Sequence, residues 1–202
     1  IQGAGGVIVP PATYWPEVQR ILNERDILFV SDEVICGFGR TGSLFGCETY
    51  QTEPDLITFA KAVTNGFQPL GGVLVSDKIT DVITKDGGEV GHGFTYSGHP
   101  IACAAALATL DLMEGQNFVT RVAEDVGPYL QSKWKELEDH PIVGHVRGIG
   151  MLGSIELVRD KNTRERLESD QKSGGICREF CIKNNLIMRA VGDSMIISPP
   201  FV

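Results

Sequence analysis

The segment DLITFAKAVTNGFQPLGGVLVS, residues 55–76, decides the fold prediction. It contains two short apolar runs separated by a loop with glycine and proline, and Lys61 closes the first run. Apolar runs of this length are typical of strands that are buried in a parallel sheet. A lysine that ends such a strand is costly to bury unless it is paired or has a chemical task. Lys61 is therefore the first candidate functional residue.

The sequence before this segment alternates strand and helix patterns. Residues 6–11 (GVIVPP) and 27–34 (ILFVSDEV) are apolar runs, and residues 13–26 between them carry apolar side chains at helical spacing. Strand, helix and strand in this order indicate βαβ units and a mainly parallel sheet covered by helices. The sequence thus predicts an α/β fold.

The later part of the chain has a different pattern, which indicates a second, α+β domain. The predicted elements are helices over 101–115, 118–140 and 173–185, strands within 142–157, and a hairpin over 186–200. The second helix is expected to bend near Gly127 and Pro128, because proline interrupts helical hydrogen bonding. We place the domains at residues 1–115 and 116–202.

Composition disfavours several classes of partner and bears on the compartment. The net charge is −8, and without a basic stripe a nucleic-acid or anionic-membrane partner is disfavoured. No apolar run approaches the roughly 20 residues that span a bilayer. The five cysteines are scattered and odd in number, which favours reduced thiols in the cytoplasm. Cys177 and Cys181 lack zinc-type partners in the sequence, so we expect them to be core or partly buried residues.

Asp32 and Lys61 each follow an apolar strand, and ligands of open parallel sheets bind beyond the carboxyl ends of the strands. One interpretation is a structural ion pair between the two side chains, or a lysine that reaches solvent. The other is covalent catalysis, since a lysine in an apolar pocket has a lowered pKa and attacks carbonyl groups. Its natural partner is pyridoxal phosphate, whose ring nitrogen requires a carboxylate such as that of Asp32.

Three blocks of sequence, taken together, resemble the class III aminotransferases, which are pyridoxal-phosphate enzymes of fold type I. The blocks are SDEVICGFGRTGSLFG (31–46), PDLITFAKAVTNGFQPLGGVLVS (54–76) and GFTYSGHPIACAAAL (93–107). Their order and spacing match, and the similarity continues through the second half of the chain. The resemblance implies the C-terminal part of the large pyridoxal-phosphate-binding domain, followed by most of a small α+β domain.

The resemblance also implies a role for each matching residue. Lys61 would hold pyridoxal phosphate as a Schiff base and then move the substrate proton, and Asp32 would pair with the ring nitrogen. Val34 would pack on one face of the ring, and Thr95 would bind the phosphate, usually that of the neighbouring subunit's cofactor. Arg189 would bind the substrate carboxylate, for which a planar guanidinium is suited. No metal is implied.

The family pattern further implies a homodimer with shared active sites. The motif forms are most similar to the ω-amine:pyruvate group, which moves an amino group from an amine or ω-amino acid to a 2-oxo acid such as pyruvate. Ornithine or 4-aminobutyrate aminotransferases, an aminomutase, a decarboxylating relative, a cofactor-free lyase and a degenerate non-catalytic relative stay open. A degenerate copy would tend to lose Asp32, Lys61 or Thr95, and all three are present. Both ends look cut, so we expect these 202 residues alone to bind pyridoxal phosphate poorly and to be inactive.

Overall fold

The computed structural model of the chain describes residues 1–167 and 172–202. The α-helices of these residues are α1 (Tyr14–Glu24), α2 (Gly46–Thr49), α3 (Asp77–Val82), α4 (Pro100–Gly115), α5 (Phe118–Arg121), α6 (Gly127–Lys135) and α7 (Ser173–Lys183). The strands are β1 (Val30–Asp32), β2 (Leu56–Phe59), β3 (Gly72–Val75), β4 (Val143–Ile149), β5 (Leu152–Leu157), β6 (Arg189–Val191) and β7 (Ser194–Ile197). Short 3-10 or π turns extend several of the helices.

The chain divides into two compact units. Residues 11–39 and 43–119 form one, here called the Lys61 unit. Residues 1–10, 40–42 and 120–202 form the other, here called the Arg189 unit. The units are built from interleaved segments, and the domain division at residues 115 and 116 stays a prediction.

The Lys61 unit contains a three-stranded sheet in the order β1-β2-β3. Strands β1 and β2 are parallel, which agrees with the predicted parallel pairing. Strand β3, by contrast, runs antiparallel to β2, so the expectation of a mainly parallel sheet holds for only one of the two strand pairs. The loop after β1 packs against α4 through a cluster that includes Phe38, Val63 and Met113.

The Arg189 unit contains a four-stranded antiparallel sheet in the order β4-β5-β7-β6. Its strands and the hairpin of β6 and β7 lie where the sequence predicts them. The core on one side of this sheet consists of Trp134, Val143, Ile155, Leu157, Met188 and Met195. Cys177 and Cys181 of α7 pack against this core and are partly buried, which confirms the expectation for both residues.

One local prediction was wrong, and another is confirmed with a local irregularity. The segment 6–11 forms no strand, because its pairing is limited to an isolated bridge between Gln2 and Ile8. The predicted helix over 118–140 is confirmed as a continuous helical segment made of α5, a π turn at Val122–Val126, α6 and a 3-10 turn at Glu136–Asp139. A side chain at Gly127 would place its Cβ 2.2 Å from the carbonyl oxygen of Val122. Glycine therefore permits the tight turn just before Pro128, close to the expected bend.

Candidate functional site

Asp32 and Lys61 lie at the same edge of the sheet in the Lys61 unit. The parallel register pairs Asp32 with Thr58 across strands β1 and β2. Lys61 follows three residues after Thr58, just beyond the end of β2. Both side chains thus leave the sheet at the carboxyl ends of neighbouring parallel strands, where ligands of open α/β sheets bind.

Lys61 has an unusual backbone conformation. Its φ is +51°, in the left-handed region, and it begins a short 3-10 turn at Lys61–Thr64. Non-glycine residues adopt this region at an energetic cost, and nine other described non-glycine residues share it, so this backbone conformation alone does not mark a functional site. The Thr64 hydroxyl, which is buried, donates to the carbonyl oxygen of Gln68 at 2.5 Å and so fixes the loop that follows.

The side chain of Lys61 is exposed. This agrees with the alternative in which the lysine reaches solvent, and the apolar pocket expected in the other interpretation does not enclose it. Within residues 1–167 and 172–202, no carboxylate forms an ion pair with it. The ion pair between Asp32 and Lys61, which is one form of the first interpretation, is therefore not formed. The amine of Lys61 is available for chemistry.

The Asp32 side chain is exposed but its position is fixed locally. Its Oδ1 accepts a hydrogen bond from the backbone N–H of Val34 at 3.0 Å. This bond spans two residues, as in an Asx turn, and it uses one carboxylate oxygen. The other oxygen can accept a further donor, such as a protonated ring nitrogen.

Glu33 faces away from Asp32, as neighbouring side chains on a strand do. It is only 3% exposed. Its carboxylate accepts the N–H groups of Gly46 and Cys47, each at 2.7 Å, and the Ser31 hydroxyl at 3.0 Å. Glu33 therefore anchors the start of α2 to the end of β1 and is a structural residue beside Asp32.

The charge of Glu33 also affects a nearby thiol. Burial, followed by the charges of Glu33 and Glu48, raises the pKa of Cys47 to about 11. Cys47 is thus protonated at neutral pH and is an inert core residue.

Thr95 lies in a turn over residues 94–97 that is closed by two hydrogen bonds between Phe94 and Ser97. Its side chain is exposed. The flanking residues of this turn line an open cavity of about 680 Å³. Ala60 and the loop 68–71, on either side of the Lys61 turn, line the same cavity. The structure thus brings the Thr95 turn and the segment around Lys61 together.

Arg189 begins strand β6 of the Arg189 unit and is exposed. Arg40, which belongs to the same unit, has a structural role. It donates to the carbonyl oxygen of Pro199 at 2.5 Å, and its guanidinium lies 4.4 Å from the ring centre of Phe201. Burial lowers the pKa of Arg40 to about 10. Sequence reasoning missed its backbone partner, because a contact 159 residues away leaves no local signal.

Comparison with known proteins places these features in a family. The class-III aminotransferase pattern matches residues 1–198. This chain belongs to the class-III aminotransferases. It is 56% identical over all of its 202 residues to a putrescine–pyruvate aminotransferase of Pseudomonas aeruginosa, and it spans 44% of that protein. A chloroplastic gamma aminobutyrate transaminase of Solanum lycopersicum is 44% identical, and the chain spans 39% of it.

Solved structures of transaminases have the same fold. A thermostable (S)-enantioselective ω-transaminase from Thermomicrobium roseum superposes with a TM-score of 0.94 at 44% identity, over 100% of this chain and 45% of the other. A transaminase from the marine bacterium Virgibacillus gives a TM-score of 0.95 at 40% identity, over 100% of this chain and 47% of the other. The predicted α/β fold of the fold type I aminotransferases is confirmed. Among the described helices, none is both long and apolar enough to cross a membrane.

Proposed function

We propose that the full-length protein is a transaminase that uses pyridoxal phosphate to move an amino group from an amine or ω-amino acid to a 2-oxo acid such as pyruvate. The observation that carries this proposal is the 56% identity, over the whole chain, to a putrescine–pyruvate aminotransferase. Because the chain spans 44% of that relative, the activity is assigned to the full-length protein.

The residues of the Lys61 unit fit pyridoxal phosphate. This cofactor offers an aldehyde, a ring nitrogen and a phosphate, and the unit presents an amine, a carboxylate and a hydroxyl for them. Lys61 is exposed and free of ion pairs with the described carboxylates, and Asp32 leaves the same edge of the sheet. Bound pyridoxal phosphate supplies the electron sink that makes the substrate C–H bond acidic.

Each side chain then has a distinct task. The Nζ of Lys61 would hold the aldehyde carbon and, once released, would take the proton from the substrate carbon. Asp32 would keep the ring nitrogen protonated through its carboxylate, and Val34 would pack on the ring. Thr95 would donate its hydroxyl to the phosphate. Arg189 would bind a substrate carboxylate with two parallel hydrogen bonds.

We also propose that the protein is a homodimer whose subunits share their active sites. The aromatic side chains beside Thr95 support this, since Phe94 is 73% exposed and Tyr96 is 75% exposed. Aromatic residues are enriched in the centres of protein interfaces. The proposed location is the cytoplasm, which agrees with five free cysteines and the reducing conditions there.

The test combines chemical trapping with mass spectrometry. The full-length protein is incubated with pyridoxal phosphate, reduced with borohydride, digested, and searched for a phosphopyridoxyl group. We expect the group on Lys61 and its loss in Lys61→Ala, together with the loss of turnover. Folded protein that carries the group on another lysine, or on none, would refute the proposal.

The amine donor is the point on which the relatives differ. Gamma aminobutyrate transaminases at 42 to 44% identity support a second candidate, an ω-amino acid donor. Putrescine and 4-aminobutyrate are therefore compared as donors, each with pyruvate and with 2-oxoglutarate as acceptor. We expect putrescine with pyruvate to give the highest kcat/KM, because that relative is the more similar of the two.

A further inference from the structure

One partly buried arginine connects several segments of the Arg189 unit. Arg147 of strand β4 has a side chain that is 13% exposed. Its Nε donates to the carbonyl oxygen of Gly6 at 2.9 Å. Its two terminal nitrogens donate to a carboxylate oxygen of Glu156 at 3.1 Å and to the hydroxyl of Ser194 at 3.3 Å. A single guanidinium therefore joins the segment 1–10 to strands β4, β5 and β7.

The segment around Gly6 is shaped to admit this guanidinium. Gly6 has a φ of +108°, and a Cβ at this position would lie 2.9 Å from Nη2 of Arg147. Val7 is fully buried and has a φ of +52°, which is costly for a β-branched residue. Backbone hydrogen bonds between Gln2 and Ile8 close the segment into a loop. Arg147 thus holds a strained loop against the sheet.

Arg147 and Arg189 lie on the same face of the four-stranded sheet. The register pairs Arg147 with Ser154, Ser154 with Ile196, and Ile196 with Arg189. Residues directly opposite each other in neighbouring strands share a face, so these four form one row across the sheet. Three strand spacings of about 4.8 Å separate the two arginines by about 14 Å. Any effect of Arg147 on Arg189 is therefore an effect on its position and surroundings.

The hairpin that carries Arg189 depends on few anchors. Strand β6 has three residues, lies at the edge of the sheet and pairs with β7. Ser194, which Arg147 binds, begins β7 directly after the turn of this hairpin. At the same turn, Oδ1 of Asp193 accepts the backbone N–H of Gly174 at 3.3 Å. Loss of Arg147 would remove one side-chain anchor of the turn and keep the other.

Arg147 also compensates a charge on this face. Glu156 pairs with Ser194 in the row next to that of the two arginines, so its carboxylate points to the same face. Arg147 forms an ion pair with it. Without Arg147, an unpaired carboxylate would remain on the face that presents Arg189, and it would repel a substrate carboxylate.

We propose that Arg147 is a positioning residue for substrates that carry a carboxylate. It holds the loop at Gly6 and the hairpin at Ser194, and so fixes the strand that carries Arg189. Its charge compensates that of Glu156. The inference rests on the proposed function, in which Arg189 binds the substrate carboxylate. Amines without a carboxylate do not need this interaction, so Arg147 affects one class of donor and not the other.

The first experiment compares two donors of similar length in the full-length protein loaded with pyridoxal phosphate. 4-Aminobutyrate ends in a carboxylate and putrescine ends in an amine. The absorbance of the bound cofactor follows the first half-reaction without any 2-oxo acid, at rising donor concentration. In Arg147→Met the concentration for half-maximal rate should rise about tenfold for 4-aminobutyrate and less than about twofold for putrescine. Equal weakening with both donors would show a merely structural role and overturn the proposal.

Two further variants refine this comparison. Arg159→Met is the matched control, because Arg159 is an exposed arginine of the same unit that pairs with Glu165 at 3.3 Å. It should change neither donor. Arg147→Lys keeps the charge but cannot reproduce three hydrogen bonds of a planar guanidinium, so its effect should be intermediate. An effect of Arg159→Met as large as that of Arg147→Met would contradict the proposal.

A double variant tests whether Arg147 acts through Arg189. Arg189→Gln alone should weaken 4-aminobutyrate. Adding Arg147→Met to it should cause little further loss with this donor, because effects that act through one group are not additive. Full additivity of the two losses would overturn the proposal.

Hydrogen exchange with peptide mass spectrometry reads the anchoring without any turnover. Exchange should accelerate over residues 2–8 and 189–197 in Arg147→Met but not in Arg159→Met. Unchanged exchange over both segments would overturn the anchoring role. If the unsubstituted protein shows no half-reaction with either donor, the proposed function fails instead, and the exchange result still decides whether Arg147 anchors the hairpin.

Discussion

Replacing Glu33 by glutamine tests whether its buried carboxylate holds the loop that follows Asp32. The carboxylate accepts two backbone N–H groups at 2.7 Å, from Gly46 and Cys47. In Glu33→Gln the amide oxygen can still accept one of them. The amide NH2 group then faces the other N–H, donor against donor. The substitution keeps the shape of the side chain and changes only its hydrogen bonding and charge.

The expected cost follows from this count of bonds. A hydrogen bond to a charged group contributes about 1.5–3 kcal/mol, and a buried donor left without a partner costs about 1–3 kcal/mol. One lost bond and one unsatisfied donor, with partial relaxation of the loop, should lower the free energy of unfolding by about 3 kcal/mol. Because Glu33 is 3% exposed, water cannot easily replace the lost acceptor.

The matched control is Glu48→Gln. Glu48 accepts the backbone N–H of Phe45 at 3.0 Å in an exposed position, and a glutamine oxygen can accept the same bond. We expect a loss below about 0.5 kcal/mol for this control. The two variants remove the same charge from positions fifteen residues apart, so the difference between them reports burial.

Two measurements on the full-length protein check the prediction. Urea denaturation gives the change in the free energy of unfolding, and hydrogen exchange with peptide mass spectrometry gives its location. Exchange should accelerate at the amides of Gly46 and Cys47 in Glu33→Gln but not in Glu48→Gln. If both variants unfold at the same urea concentration and exchange alike, the anchoring role of Glu33 is refuted.

Three further outcomes are expected. Asp32→Asn should lower the transamination rate by orders of magnitude, because a neutral amide stabilises the protonated ring nitrogen less. The absorbance of bound pyridoxal phosphate should persist. Unchanged kinetics would make Asp32 structural only. Gly150→Ala should lower the free energy of unfolding by clearly more than Gly192→Ala, measured by urea denaturation. Both glycines have φ above +50°, which costs a residue with a side chain about 1–2 kcal/mol. Only at Gly150 would a Cβ also lie 2.5 Å from the Arg40 carbonyl oxygen. Equal losses in the two variants would contradict the role of this close contact. Burial raises the pKa of Tyr50 to about 12, so its phenol should ionise near pH 12 in a difference titration against Tyr50→Phe. The stability that the neutral phenol contributes below pH 10 should disappear as the pH rises through 12. Ionisation near pH 10 would show that the phenol is accessible.

The sequence predicted those parts of the structure that depend on local pattern. Helices α4 and α7 and the strands β4 to β7 lie where the local composition and pattern of the sequence predict them. The segment 6–11 failed because an apolar run becomes a strand only when a neighbour pairs with it, and residue 8 has only an isolated bridge. The direction of β3 was also missed, since the pattern of a short strand does not encode its orientation.

The candidate site, like the fold, could be predicted only in part from the sequence. The placement of Asp32 and Lys61 at one edge of the sheet could be predicted, because both follow apolar strands of a sheet expected to be mainly parallel. The exposure of Lys61 was one of the alternatives, but the sequence could not decide between them, since burial depends on the segments that pack around it. The anchoring contacts of Glu33 and the hydrogen bond from Arg147 to Gly6 were also missed. Each depends on where a turn places its backbone or side chains, and residue types and their spacing do not report this.

The left-handed backbone at Lys61 bears on any effort to make the protein more heat-resistant. Position 61 gains stability when glycine replaces lysine, by about 1 kcal/mol, because glycine adopts a φ of +51° without steric cost. A laboratory selection for thermostability alone would therefore favour discarding this amine. Under the proposed function, stability and chemistry favour different residues at this one position.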